Sequence, residues 1–225
     1  MKNSDFDLLL ASCIHDMKNA LSLILNSIDR LGEEDISAEK SKLFRTNLRY
    51  EASRLNNDLI HLLGVYRIKE DALPVMIDEH EVWETLNDQY LKNEKLLEKY
   101  LVNFEIACDE DIIWYYDSEL IGGVINNIIV NTARYTENTV LVTCEEQGDY
   151  LCIQVCDDGP GYPENMLQHP DTPQKGLDFM NGSTSLGIFF AAKVAQMHNR
   201  HEHNGYIKLE NGGPLGGGVF SIYLP

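Results

Sequence analysis

Apolar side chains in the first seventy residues recur at alternating spacings of four and three, and that rhythm constrains this chain more than any other feature. Leu10, Ile14, Met17, Leu21, Ile24, Ile28 and Leu31 follow it without a break, which is the a/d spacing of helices that pack side by side. Gly32-Glu33-Glu34-Asp35 interrupts it; Gly32 suits a helix end, and Asp35 or Ser37 can cap a following helix. The rhythm resumes with Leu48, Ala52, Leu55, Leu59, Leu62 and Tyr66. A short loop between two such segments makes an antiparallel hairpin. Two seams, together with Leu9, Leu23, Leu25, Ile60 and Leu63, are more than one hairpin can hide, and each such side chain contributes about 1.5–3 kcal/mol when buried. Two hairpins joined as a four-helix bundle would bury them, so residues 1–70 are expected to form a homodimer.

The charge divides at the same place. Of a net charge of -18, residues 1–70 hold ten basic and eleven acidic side chains, and the remainder holds eight basic and twenty-five acidic. An apolar fraction of 44% is that of a globular protein, which excludes a disordered acidic tail. The acidity argues against nucleic acid and anionic membrane surfaces as partners, since both demand Lys and Arg. Leu8-Leu9-Leu10-Ala11 is too short for a signal-peptide core, and no apolar run is long enough to span a membrane. The five cysteines are read as reduced and buried, in a cytoplasmic protein, with Cys144, Cys152 and Cys156 packing strands rather than binding metal.

Pro74 marks a linker, and an alternating pattern follows it. Val75–Ile77, Val102–Cys108, Ile112–Tyr116, Thr139–Glu145, Tyr150–Cys156, Gly205–Glu210 and Val219–Leu224 read as strands; Glu81–Tyr100, Ser118–Tyr135 and Leu186–His198 read as helices. The fold class is therefore α+β: a helical hairpin over 1–70, then an α/β sandwich with a mixed sheet over 75–225. His198, His201 and His203 are read as a polar loop rather than a metal tract.

Three stretches of the second part carry groups suited to a nucleotide. On a helix, Asn127, Asn131, Arg134 and Tyr135 share one face. Amide oxygen is a hard ligand suited to Mg²⁺, and a guanidinium suits phosphate; the same asparagines would also serve as plain polar surface. In Asp157-Asp158-Gly159-Pro160-Gly161, Asp157 ends the apolar face of its strand, where a carboxylate can accept from an adenine amine. Gly159 and Gly161 allow close backbone approach, although as a bare turn this stretch is common. Gly182-Ser183-Thr184-Ser185-Leu186-Gly187 opens a helix, whose free N–H groups attract phosphate, although its Ser and Thr equally suit simple capping. Each stretch is unspecific alone; their order along the chain and the elements that carry them make the combination specific.

In these residues the chain resembles the catalytic core of a two-component sensor histidine kinase, and residues 75–225 resemble the ATP-binding domain shared with gyrase, MutL and a heat-shock chaperone. Asn127–Tyr135 matches the N box, Asp157-x-Gly159-x-Gly161 the first glycine box, Gly182–Gly187 the second, and Gly216-Gly217-Gly218 the third. The resemblance implies ATP and Mg²⁺ as cofactors, with Asn131 on the metal and Asn127 in support. It implies Arg134 on phosphate, Asp157 on adenine, and a lid over 162–181 that includes Phe179. Ser185 stands where that family usually has glycine. Asn127 stands where the hydrolysing members carry a glutamate base, and an amide cannot act as one.

The first seam carries His15-Asp16-Met17-Lys18-Asn19. With Ile14 at a and Met17 at d, His15, Asp16 and Asn19 fall at b, c and f, which face away from the seam. A lone exposed histidine is usually surface; the adjacent acid and the nucleotide boxes downstream favour a nucleophile instead. The stretch is similar to the family's H box, without its usual proline. That resemblance implies that His15 takes a phosphoryl group from Mg-ATP and passes it to an aspartate of a response regulator receiver domain. Asp16 would orient the imidazole, and Asn19 would position water for dephosphorylating the partner. Few residues precede the motif, so the signal is expected from a separate sensor protein unless the chain is a fragment. The main alternative is a histidine phosphotransferase with a vestigial nucleotide site, relaying phosphate between receivers; a scaffold or a serine-directed anti-sigma kinase would leave the histidine motif unexplained.

Overall fold

A computed structural model describes residues 3–31, 37–168 and 185–225. The chain divides into two compact units: among the described residues the first holds those up to Ala72 with Ser185 and Leu186, and the second holds 73–168 and 187–225. In the first, helix α1 (Asn3–Leu31) packs against helix α2 (Ala38–Lys69). Ser37 caps α2, its side chain accepting from Lys40 N–H at 3.3 Å.

In the single chain the seam is only partly buried. Among the described side chains, those buried on α1 are Phe6, Leu9, Cys13 and Ala20, and those on α2 are Asp58, His61 and Val65. The a-position residues Ile14, Leu21, Ile28, Leu59 and Tyr66 point to solvent with Leu25, Ile60 and Leu63, between 48% and 57% exposed. The physical reason is rotation: two helices meet along one line, and here that line runs beside the expected seam, so half the apolar surface stays outside.

The second unit is built on a five-stranded mixed sheet in the order β2-β4-β5-β9-β8: Asn103–Ala107, Thr139–Gln147, Tyr150–Asp157, Gly218–Leu224 and Tyr206–Asn211. Only β2 and β4 run parallel; the other neighbours are antiparallel. The Gln147-Gly148-Asp149 hairpin predicted between β4 and β5 is present, with Gly148 at φ 63°. Helices α3 (Val82–Tyr100) and α4 (Ser118–Thr132) pack together and reach β2 and β5, and the apolar run of α6 (Ser185–Met197) is almost wholly buried. The core therefore lies between helices and sheet, with Ile121, Ile125, Ile129, Val140, Leu151, Ile153, Phe220 and Ile222 fully buried.

Four expectations are corrected. Val75–Ile77 forms no strand; β1 is Asp78–Glu81, paired antiparallel with β3 (Ile113–Tyr116), because Met76 N–H is taken by the Asp117 carboxylate at 2.8 Å. Helix α4 ends at Thr132, so Arg134 and Tyr135 lie on the turn beyond it. His198 is not loop surface: it is buried at the end of α6, accepting from Asp117 N–H through Nε2 at 3.0 Å, with Nδ1 2.8 Å from Val194 O. The cysteines are not all thiols. Cys108 and Cys144 form a disulfide, since the parallel register that sets Ala107 beside Thr143 brings the next two residues together, with Cα atoms 4.9 Å apart. Cys13, Cys152 and Cys156 are outside the disulfide and buried, as expected. The remaining elements are the short helix α5 (Glu164–Gln168) and a two-residue ladder, β6 (Asn199–Arg200) with β7 (His203–Asn204), which is too short to leave a sequence signal.

Candidate functional site

The polar face of α4 is placed by its own first residue. Asp117 caps the helix, accepting from Leu120 N–H at 3.0 Å through one carboxylate oxygen and from Met76 N–H through the other. Its own N–H is held by His198, so the linker, α4 and α6 meet at one buried residue. Two turns along α4, Asn126 accepts from the buried Asn93 of α3 at 2.8 Å. That contact fixes the roll of α4 and turns Asn127 to the opposite neighbour.

Asn127 is buried, and its Oδ1 accepts from Asn131 Nδ2 at 3.4 Å, one turn on. Its Nδ2 is buried and has no hydrogen-bond partner among the described residues. A Cβ at Gly187 would collide with that amide, so glycine in the second box makes room for Asn127. Asn131 is part-exposed, and the Arg134 guanidinium lies over the Tyr135 ring at 5.6 Å. The structure thus brings Asn127, Asn131 and Gly187 together, while Arg134 and Tyr135 follow on the turn.

Asp157 ends β5 as expected. Its Oδ1 accepts from Gly159 N–H at 2.8 Å and Gly218 N–H at 3.1 Å, and its carbonyl from Gly217 N–H at 3.0 Å. Burial raises the carboxyl above its ordinary value, while the two glycine N–H bonds pull the other way. A Cβ at Gly159 would strike the Tyr135 carbonyl, so this glycine lets the first box close onto the end of the N box. Gly161 has φ 77° and packs on the Asn211 amide, which accepts from Tyr162 N–H at 2.7 Å and donates to Tyr162 O at 2.8 Å.

In the hairpin, His15 is exposed, and Asn19 Nδ2 lies 3.3 Å from its Nδ1. The side chain of Asp16 lies outside the described residues. So do Gly182, Ser183, Thr184, the Ser185 side chain and Phe179, whereas Leu186 is buried on α6.

Sequence reasoning missed several contributors: the Gly217 and Gly218 amides on Asp157, Asp158 and Asn211 as ties to neighbouring loops, and the Asn93–Asn126 contact. The repeated glycines of 216–218 and the Asn211-Gly212 turn carried some signal for two of these. Nothing in the spacing of Asn93 and Asn126 announces a contact between helices.

A buried amide whose Nδ2 has no partner among the described residues, a part-exposed amide beside it, and a buried carboxylate whose Oδ1 is already saturated by N–H donors together suit a polar ligand between α4 and the β5 end. Amide oxygens suit Mg²⁺, and a carboxylate oxygen suits an amine donor such as that of adenine.

Residues 116–225 match the model of the family described as histidine kinase-, DNA gyrase B-, and HSP90-like ATPase. The sensor protein SrrB of Staphylococcus aureus is 24% identical over 225 residues, a match covering 96% of this chain and 37% of SrrB. The chain thus spans little more than a third of the curated relatives it matches. The catalytic domain of the histidine kinase ThkA superposes with a TM-score of 0.56 at 25% identity, over 67% of this chain and 97% of that domain. Two likenesses of fold alone extend further. The Acinetobacter baumannii histidine kinase AdeS has a TM-score of 0.64 at 16% identity, over 96% of this chain and 95% of AdeS. ThkA in its complex with the response regulator TrrA has a TM-score of 0.65 at 22% identity, over 96% of this chain and 60% of that one.

Proposed function

This chain carries a histidine kinase catalytic core, with residues 116–225 among the histidine kinase-, DNA gyrase B- and HSP90-like ATPases, and from that premise we propose that it phosphorylates its own His15 from Mg-ATP. The observation that supports the site assignment is that the boxes touch: Gly187 lies against the Asn127 amide, and Gly159, bonded to Asp157, lies against the Tyr135 carbonyl.

Asp157 and the backbone around Gly159 and Gly161 would hold the adenine. Asn131, supported by Asn127, would hold the metal, and Arg134 with the start of α6 would hold phosphate. The bound nucleotide supplies an activated phosphoryl group. The chain supplies position and charge neutralisation, which is most of what phosphoryl transfer requires. Nε2 of His15 would be the nucleophilic nitrogen, which requires the proton on Nδ1; the Asn19 amide beside Nδ1 would then present its oxygen to that proton, and Asp16 would orient the ring or take the proton. Asn127, an amide, leaves this site without a base to activate water, so transfer to histidine is favoured over hydrolysis.

The acceptor beyond His15 would be an aspartate of a response regulator receiver domain, with Asn19 positioning water for the reverse dephosphorylation. The protein would act as a homodimer through residues 1–70, take its signal from a separate sensory protein or segment, and work in the cytoplasm. Among the described residues no helix is long and apolar enough to cross a membrane.

Incubation with γ-labelled ATP is expected to give an acid-labile label on the wild type and none on His15→Ala. Asp157→Asn should lose Mg-ATP binding by calorimetry. Label on His15→Ala would refute the acceptor, and failure of the wild type to bind nucleotide would return the reading to a phosphotransferase.

A further inference from the structure

We infer that Asp158 is a positioning residue that ties the metal and phosphate half of the nucleotide site to its adenine half. This rests on the nucleotide-binding reading above and goes beyond it. Asp158 follows Asp157 at the end of β5, so the strand's alternation turns it to the opposite face. There its carboxylate gathers donors from Thr136, Glu137 and Asn138, on the loop that leaves the N box. Oδ1 accepts from the Thr136 hydroxyl, from Glu137 N–H at 2.8 Å and from Asn138 N–H at 3.0 Å; Oδ2 accepts from Asn138 N–H at 3.0 Å and Asn138 Nδ2 at 3.2 Å. The loop is otherwise anchored by Asn103 N–H on the Asn138 carbonyl at 2.8 Å, on the side away from β5.

The consequence lies one residue upstream. Arg134 and Tyr135 are on the turn after α4, outside the helix ladder that orders Asn127 and Asn131. Tyr135 meets the first glycine box at a close pass between its carbonyl and Gly159. Asp158, between Asp157 and Gly159, fastens the next three residues of that turn to the same strand end. The two halves of the site are thereby joined through one side chain that need not itself touch nucleotide.

A carboxylate fits this role better than an amide or hydroxyl. The groups it faces are all donors, and an ionised carboxylate offers about four lone-pair directions, whereas an asparagine would turn an NH₂ toward them. Some burial opposes the charge, but the bonds from Asn138, Thr136 and Thr139 outweigh it and hold the carboxyl well below its ordinary value. The neighbouring Asp157 carboxylate is repelled by this charge, an arrangement that the four donors stabilise.

The test compares Mg-ATP with adenosine, measured by calorimetry or competition on the full chain. Mg-ATP needs both halves of the site; adenosine needs only the half built by Asp157, whose own N–H donors are untouched. Asp158→Ala is expected to lose about tenfold in Mg-ATP affinity, the scale of one lost charge-assisted bond, and less than twofold for adenosine. Asp158→Asn should fall between it and the wild type. Amide exchange should quicken at residues 134–138 and stay unchanged along β5. Equal losses for the two ligands, or none, would overturn the assignment. If Asp158→Ala does not fold, Thr136→Val serves instead, with a smaller loss and the same split between ligands. Wild-type protein that binds neither ligand would defeat the nucleotide reading itself, and this inference with it. A wild type that binds Mg-ATP beside an Asp158→Ala that binds it equally well would defeat only the inference.

Discussion

Two glycines of the second unit show how much one methyl group decides. Gly123 sits on the outer side of α4 with nothing within 4 Å of a would-be Cβ, whereas Gly187 faces the buried Asn127 amide with no room for one. Gly123→Ala should therefore stabilise the unit by up to about 1 kcal/mol, through helix propensity alone. Gly187→Ala should displace Asn127 and cost at least tenfold in nucleotide affinity. Thermal melts and calorimetry on the pair check this; a Gly187→Ala protein with wild-type affinity would mean that Asn127 is not part of the site. His198 gives the residue scale its pH dependence. Burial holds its imidazole below the ordinary value, opposed by its bond to Val194 and by the nearby Asp117 carboxylate. The unfolded chain then takes up a proton first as pH falls. Stability is complete above the unfolded imidazole value of about 6.5 and declines below it, by at most about 1.4 kcal/mol per pH unit. Denaturant midpoints measured from pH 8 to pH 5 should show that acid limb, and His198→Gln should make it shallower, leaving the share of His61, which burial lowers to about 4.

At the scale of elements, the periodic segments were legible and the junctions were not. The spacing of α1, α2 and α3, and the Asp117 cap with the apolar run of α4, are written in side-chain pattern, so their existence and type follow from the sequence. The end of α4 at Thr132 is not, because Thr136–Asn138 bind a carboxylate twenty residues away in sequence. The identity of β1 likewise turns on which backbone N–H Asp117 takes. The boxes named Asp157, Asn127 and Asn131, while Asp158 and Asn211 emerge only when two loops are seen side by side. The disulfide is the clearest case: Cys108 and Cys144 meet through the parallel pairing of β2 with β4, which no local pattern specifies. It closes a loop across a sequence separation of 36, so its reduction should destabilise the second unit by about 4 kcal/mol in the chain-entropy account. Thiol titration in denaturant should find three free thiols before reduction and five after it. An unchanged urea midpoint on reduction would mean that the link constrains the unfolded chain little.

For the whole molecule, the open question is what covers the apolar strip of the hairpin. Ile14, Leu21, Leu25, Ile28, Leu59, Ile60, Leu63 and Tyr66 leave about half of each side chain exposed in the single chain. Eight such residues on two adjacent helices make a stripe that water does not favour, each forfeiting part of the 1.5–3 kcal/mol that full burial gives. A second copy is the occupant whose pattern fits, since the same a-position register repeated on a partner interdigitates with itself. The hairpin's near balance of ten basic and eleven acidic residues also removes the repulsion that two copies of the strongly acidic remainder would feel. Leu25→Glu combined with Leu63→Glu should place charges in that seam and leave monomers at concentrations where the wild type is dimeric, read by sedimentation or light scattering. Both positions are solvent-facing in the single chain, so the variant should keep its helical circular dichroism. It should also keep Mg-ATP binding in the second unit, whose core and candidate site are built from other residues. A wild type that stays monomeric at high concentration would remove the four-helix bundle and leave the exposed stripe for a different partner.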